Sequence, residues 1–351
     1  MILVDAHLDL AYNAINNGRL LQQPLNDLRQ SEGRKPEAGI ATVTIPEIKK
    51  AGIGLICGSI FALPAGSAEG DPLCYTNQDE AFTLAMQQFD YYYRLADEDE
   101  AIRLVTNSDI LQEVVESFEL GNERLLGIIP MMEGADPIRD PQELELWVER
   151  GLKVVGLAWD DTRYSAGAWR GSRFDLTKDG YALLEIMAEF NVILDLSHMN
   201  EKASLLALER YEGTAVATHS NCRQINKSDE RHLTDQQIRM LGERGGIIGI
   251  VPYNRFLRAG HKKGDHKELV TLDHIVAHID HICQLLGSAK HVGIGSDFDG
   301  GFGYKDIPHP MNSIVDLNLI YPKLKERGYN TEDIEGILGH NWLRLFKRSF
   351  E

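Results

Sequence analysis

Six side chains able to bind metal or carry protons stand where short apolar runs of this sequence end. His7 and Asp9 close the run 2–6, and Glu133 closes Leu125 to Met132. His198 follows Val192 to Ser197, His219 follows Thr214 to Thr218, and Asp297 follows His291 to Ser296. Residues i and i+2 of a strand share a face, so His7 and Asp9 present an imidazole and a carboxylate side by side. Singly, each of the six reads as a loop or turn residue. Together they supply the nitrogen and oxygen donors that Zn²⁺ takes at about 2 Å. Five ligands exceed the three that one catalytic zinc normally takes, which points to two metals bridged by Glu133. His7 and Asp9 join Glu133 at one metal, His198 and His219 at the other, and Asp297 is left as the acid and base. Two cations roughly 3.5–4 Å apart activate a shared bridging water, and a carboxylate beside it passes the proton to the leaving group. That is hydrolysis, and the spacing leaves amide, ester and phosphoester all open.

Such groups must be held on one rim, and the pattern of elements provides it. Val-, Ile- and Gly-rich runs recur at 2–6, 54–61, 125–132, 152–158, 192–197, 214–218, 246–251 and 291–296. Helical periodicity fills 141–150, 179–190, 200–211, 234–244 and 271–287, with Asp140, Asn200 and Thr234 as N-caps. Alternating strands and helices predict a parallel sheet, and eight units predict an α/β fold of the closed (β/α)8 TIM-barrel type, whose active site lies at the strand C-termini. The whole chain, 1–351, reads as a single domain with a helical insertion at about 78–119 and C-terminal helices at 312–349. Pro64 to Pro72 reads as a long loop. A doubly wound sheet would need a phosphate-binding glycine turn after the first strand, a place held here by His7-Leu8-Asp9.

Composition excludes several partners. The chain has 36 Lys and Arg against 53 Asp and Glu, a net charge of −17, which argues against nucleic acid and against an anionic membrane surface. The four cysteines have no CxxC spacing, and no apolar run reaches the ~18 residues of a membrane span. A cytoplasmic protein is the simplest expectation.

Asp5-Ala6-His7-Leu8-Asp9, Met132-Glu133-Gly134, Leu196-Ser197-His198, Thr218-His219-Ser220-Asn221 and Gly293 to Gly300 together resemble the membrane (renal) dipeptidase family of dinuclear zinc peptidases, amidohydrolase-type barrels. The motifs run in family order from residue 4 to about 300. The resemblance implies two zinc ions, Glu133 as their bridge, Asp297 handling protons, a dipeptide substrate with tolerance for a C-terminal D-residue, and a homodimer. It also places Arg231 where the family binds the substrate carboxylate. One departure stands out: Trp159 occupies the place of a family histidine that contacts the substrate carbonyl. Asp160 or Asp161 beside it becomes a candidate for a substrate amine. Trp159 keeps open a second reading, an amidohydrolase or deacylase for N-acyl amino acids or other small amides, and a non-catalytic metal-binding protein is the third.

Other features attract no functional reading. His274, His278 and His281 read as the polar flank of an outer helix, and Phe89 with Tyr91-Tyr92-Tyr93 as packing of the insertion or a subunit contact.

Overall fold

Every residue of the first strand, β1 (Leu3–Leu8), is buried, although its sequence includes Asp5 and His7. Strands covered on both faces read as continuous apolar runs, which is how the other seven were legible. They are β2 (Ile53–Phe61), β3 (Leu126–Glu133), β4 (Val154–Gly156), β5 (Ile193–Asp195), β6 (Ala215–Val216), β7 (Ile248–Ile250) and β8 (Val292–Ile294). The computed structural model describes residues 1–33, 39–67, 73–120, 124–169, 175–227 and 230–351.

All neighbouring strands pair in parallel in the order β7-β8-β1-β2-β3-β4-β5-β6. A parallel bridge between Ala217 and Ile248 joins the two ends, closing an eight-stranded barrel. Register sets the height of the rim. Phe61 pairs with Glu133, Glu133 with Gly156, and Gly156 with Asp195. Those four positions from four strands therefore lie on one level, and the polar side chains gather there and just beyond.

Below that level Val4, Cys57, Met131, Ile193 and Val216 join one apolar cluster with Trp342 and Phe346 of the C-terminal helix Asn341–Phe350. Trp342 donates its indole N–H to the Ile294 carbonyl at 3.1 Å. Gly293 makes room for it, because a Cβ there would come within 2.0 Å of the indole nitrogen. Gly295 has the same role against β6, where a Cβ would stand 1.7 Å from the Thr218 carbonyl oxygen. Gly295 thus lets the end of β8 approach the residues that present His219, while Gly293 seats the Trp342 indole.

The insertion differs from its purely helical expectation. Helices Gln78–Glu98 and Ser108–Glu119 flank a strand, Ile102–Leu104, that pairs with β3 outside the barrel order. Three residues are too few to establish a period, so the strand was hidden between two strong helical patterns. Pro64 to Pro72 begins with a short strand, Leu63–Pro64, paired with Cys74–Tyr75, and a 3-10 turn; residues 68–72 lie outside the described ones. Tyr92 is fully buried, and its hydroxyl donates to the Ser59 carbonyl at 2.8 Å, so the insertion braces β2. No helix among the described residues is long and apolar enough to cross a membrane.

Candidate metal centre

Glu133, at the end of β3, is the centre of the site. Its Oε1 lies 3.0 Å from His198 Nε2 and 3.3 Å from His219 Nε2, and its Oε2 lies 3.6 Å from His7 Nε2. His7 Nε2 is also 3.5 Å from Asp9 Oδ1 and 3.8 Å from Asp297 Oδ1. The structure therefore brings together His7, Asp9, Glu133, His198, His219 and Asp297 from five strand ends. All but Asp297 are buried. Donor atoms of two triads, His7–Glu133–His219 and His7–Asp9–Asp297, lie within 4.8 Å of one another.

The loops that carry these groups are locally strained. His198 has φ 69° and Asp297 φ 55°, the left-handed region that non-glycine residues seldom occupy. Such backbone costs of order 1–3 kcal/mol and persists only where neighbours fix it. Here the Asp297 N–H donates to the His7 carbonyl at 3.1 Å, and the His198 carbonyl accepts from the Ala168 N–H at 2.8 Å.

Outer partners orient the rings and carboxylates. Thr218 Oγ1 donates to Asp195 Oδ2 at 2.5 Å and lies 2.9 Å from His219 Nδ1. Asp195 Oδ1 accepts from the N–H groups of Ser197 and Thr218. The Ser59 hydroxyl donates to Asp9. Asp5 accepts from both the N–H and the hydroxyl of Ser296, tying β1 to β8 just below the site. Asp299, with φ 68°, binds Thr42 and Val43 N–H groups and pairs with Arg19 at 3.0 Å. The sequence did hold a signal for Asp5 and Asp195, since a carboxylate within an apolar strand must find partners.

Charge in this cavity is unbalanced. Burial pushes the Glu133 carboxyl well above its usual range, with His7 pulling it back. Asp297 is raised to about 8, again by burial first. Burial would lower His7, but the charges of Glu133, Asp9 and Asp297 outweigh it and lift the ring to about 10. Burial holds His198 and His219 well below 6.5, so both rings are neutral. Both ring nitrogens of His7 are buried without a hydrogen-bond partner. Three crowded carboxylates, two neutral imidazoles and a third imidazole lacking hydrogen bonds form a donor set that fits divalent cations.

Arg231 is buried, not at the surface as a helix-start arginine would be. Its guanidinium donates to the His219 carbonyl at 2.8 Å and to the Ser220 hydroxyl at 2.9 Å, and lies 3.1 Å from His198 Nε2. Trp159 stands at the rim, its ring 5.0 Å from Phe61 and 6.1 Å from His198. Asp160 is buried, unlike a solvated loop carboxylate, and accepts from the Ser67 hydroxyl and the Asp161 N–H. Trp169 is a site residue that sequence pattern did not reveal; its indole N–H donates to His198 Nδ1 at 3.0 Å. No periodicity marks it, because the loop after β4 folds back onto the next strand's end.

The membrane dipeptidase family, peptidase family M19, matches residues 1–350. This chain belongs to that family. As a member of the membrane dipeptidase family it is a metallohydrolase with a candidate metal-binding cluster where the barrel strands end. An uncharacterised protein of Klebsiella pneumoniae is 30% identical over 237 residues, 65% of this chain and 84% of that protein. An uncharacterised dipeptidase of Schizosaccharomyces pombe is 27% identical over 286 residues, 78% of this chain and 64% of the yeast protein. A metallopeptidase of Rhodobacter sphaeroides, solved with a phosphinate mimic of L-Ala-D-Ala, superposes with a TM-score of 0.81 at 24% identity. That superposition covers 99% of each chain, and it establishes a shared fold.

Proposed function

We propose that this protein is a dipeptidase that hydrolyses the amide bond of dipeptides, L-D dipeptides included, with two zinc ions. The observation that carries the reading is Glu133, which faces His198 and His219 through one carboxylate oxygen and His7 through the other. Such a carboxylate suits a bridge between two cations. His7 and Asp9 would hold one, His198 and His219 the other. When bound, the cations supply Lewis-acid activation of water and of the scissile carbonyl.

The chain's own residues do the rest. Asp297 takes the proton from the attacking water and delivers it to the leaving amine nitrogen. Arg231 grips the substrate's free carboxylate with its guanidinium. Thr218 and Asp195 keep the His219 ring oriented, as outer partners of metal-binding histidines do. Trp159 closes the rim and excludes water, and its N–H can donate to a carbonyl but carries no proton between groups. Asp160 is kept as a candidate for the substrate amine.

A deacylase for N-acyl amino acids is the second reading, favoured by the apolar Trp159–Phe61 pair at the rim. We also take residues 1–351 as one domain, supported by the packing of Trp342 under the barrel, and expect a cytoplasmic homodimer. The four unpaired cysteines fit that location. The deciding experiment is a hydrolysis panel of L-L, L-D and N-acyl substrates on zinc-loaded enzyme. Cleavage of dipeptides supports the first reading, cleavage of N-acyl substrates alone selects the second, and a metal-loaded protein inert on the whole panel overturns both.

A further inference from the structure

We propose that Trp169 is a specificity-determining residue that selects substrates whose carboxylate-bearing residue has a bulky apolar side chain. The inference rests on the proposed role of Arg231 as the carboxylate grip.

Four side chains form a closed frame. Arg231 lies 3.1 Å from His198 Nε2, and His198 Nδ1 accepts the Trp169 N–H at 3.0 Å. The Trp169 ring stands 6.1 Å from Phe256, and the Arg231 guanidinium lies 5.3 Å over the Phe256 ring. The frame thus has one cationic corner, one corner at the metal centre and two aromatic corners. Phe256 is extended by Tyr253 at 4.9 Å, which stacks on Phe302 at 4.3 Å. Trp159 also stands beside His198, its ring 6.1 Å away, so two indoles lie near the imidazole.

Most of this apolar surface is buried, with Phe256 at 6% and Phe302 at 4% exposure. Trp169 is 41% exposed. An indole packed between His198 and Phe256 and still partly exposed is a ready wall for a ligand. Its neighbours Gly167 and Ala168 are fixed, the first bridged to Met199 and the second donating to the His198 carbonyl. The wall is therefore held and does not need ordering when substrate arrives. A carboxylate held on Arg231 leaves the side chain on the adjacent carbon beside Phe256 and Trp169. In that place a bulky apolar group removes indole and phenyl surface from water, whereas glycine fills nothing and an aspartate carboxylate loses hydration.

Steady-state kinetics test this on zinc-loaded wild type, Trp169→Ala and Trp169→Phe. Two substrate series are used, alanyl dipeptides and N-acetyl amino acids, each ending in Phe, Leu, Gly or Asp with both stereoisomers of Phe. Wild type should prefer Phe and Leu over Gly and Asp by about tenfold or more in kcat/KM, within the 10–200-fold range that apolar pockets supply. Trp169→Ala should collapse that ratio to within about threefold of unity, chiefly through KM. Trp169→Phe, which keeps the ring and loses the N–H, should retain most of it. Equal preference in wild type overturns the proposal. So does a ratio that survives Trp169→Ala, or one lost equally in both variants, which would mean that the hydrogen bond to His198 is all that matters. Calorimetric binding of free phenylalanine and glycine gives a readout independent of turnover. Phenylalanine should bind wild type about tenfold more tightly than glycine, and equal affinities overturn the wall even if the enzyme cleaves neither series. Inactivity on both series with that preference intact would count against the hydrolytic reading alone.

Discussion

His198 Nε2 and His219 Nε2 point at each other across 2.9 Å, and Glu133 Oε1 lies within 3.3 Å of both. Two neutral imidazoles and a carboxylate oxygen converge so closely only where a proton or a cation stands between them. If the occupant is a cation, protein stripped with chelator should take up close to two equivalents of Zn²⁺ in a calorimetric titration. His219→Ala should lower that number, and uptake near zero in wild type would remove the site.

Asp297 sits 3.8 Å from His7 and is not needed to complete the His198–His219 cluster. Asp297→Asn should therefore keep the metal at His198 and His219 while turnover falls on the order of 100-fold or more, the scale of a lost general acid–base. Metal analysis and kcat on the same preparation decide it, and a near-wild-type kcat assigns proton transfer elsewhere.

Arg231→Ala should chiefly raise KM for substrates with a free carboxylate and change little for their C-terminal amides. Parallel assays of each acid and its amide check this. If wild type itself treats acid and amide alike, Arg231 does not grip a carboxylate.

Thr218 joins Asp195 to His219 Nδ1. Thr218→Val keeps the shape and loses both bonds, so zinc affinity should fall about 10–100-fold, as for other outer partners of metal-binding histidines. Competition with a chromophoric chelator measures it, and unchanged affinity would make the link incidental.

Acid sensitivity should arise away from the site as well. His278, expected on a polar flank, is instead fully buried; its Nδ1 accepts the Cys222 N–H at 3.0 Å, and its Nε2 lies 3.2 Å from the Leu257 carbonyl. Burial lowers its pKa from 6.5 to about 4. The unfolded chain then binds the extra proton between those values, so stability is full above pH 6.5 and falls as pH drops towards 4. The loss is at most about 3 kcal/mol. Urea unfolding at pH 7.5 and pH 5 should show wild type losing more than His278→Gln. Equal losses would place the acid sensitivity on other groups.

Much of the barrel was legible in the residue order. Parallel strands buried on both faces are largely apolar, so eight runs stood out, and chemistry placed at their C-terminal ends marked His7, Glu133, His198, His219 and Asp297. Their convergence followed from strand register, as the Phe61–Glu133–Gly156–Asp195 level illustrates. The short strand Ile102–Leu104 escaped because three residues carry no period. Long-range partnerships escaped for a different reason. Asp299 meets Thr42 and Arg19, Asp5 meets Ser296, and Trp169 meets His198 only after loops from distant strands fold over one another. The sequence by itself determined which groups can do chemistry and that strands present them, because side-chain type and periodicity are local. Only the tertiary structure decided which buried side chains orient them and which rings wall the site, because those choices depend on how loops pack across the barrel mouth.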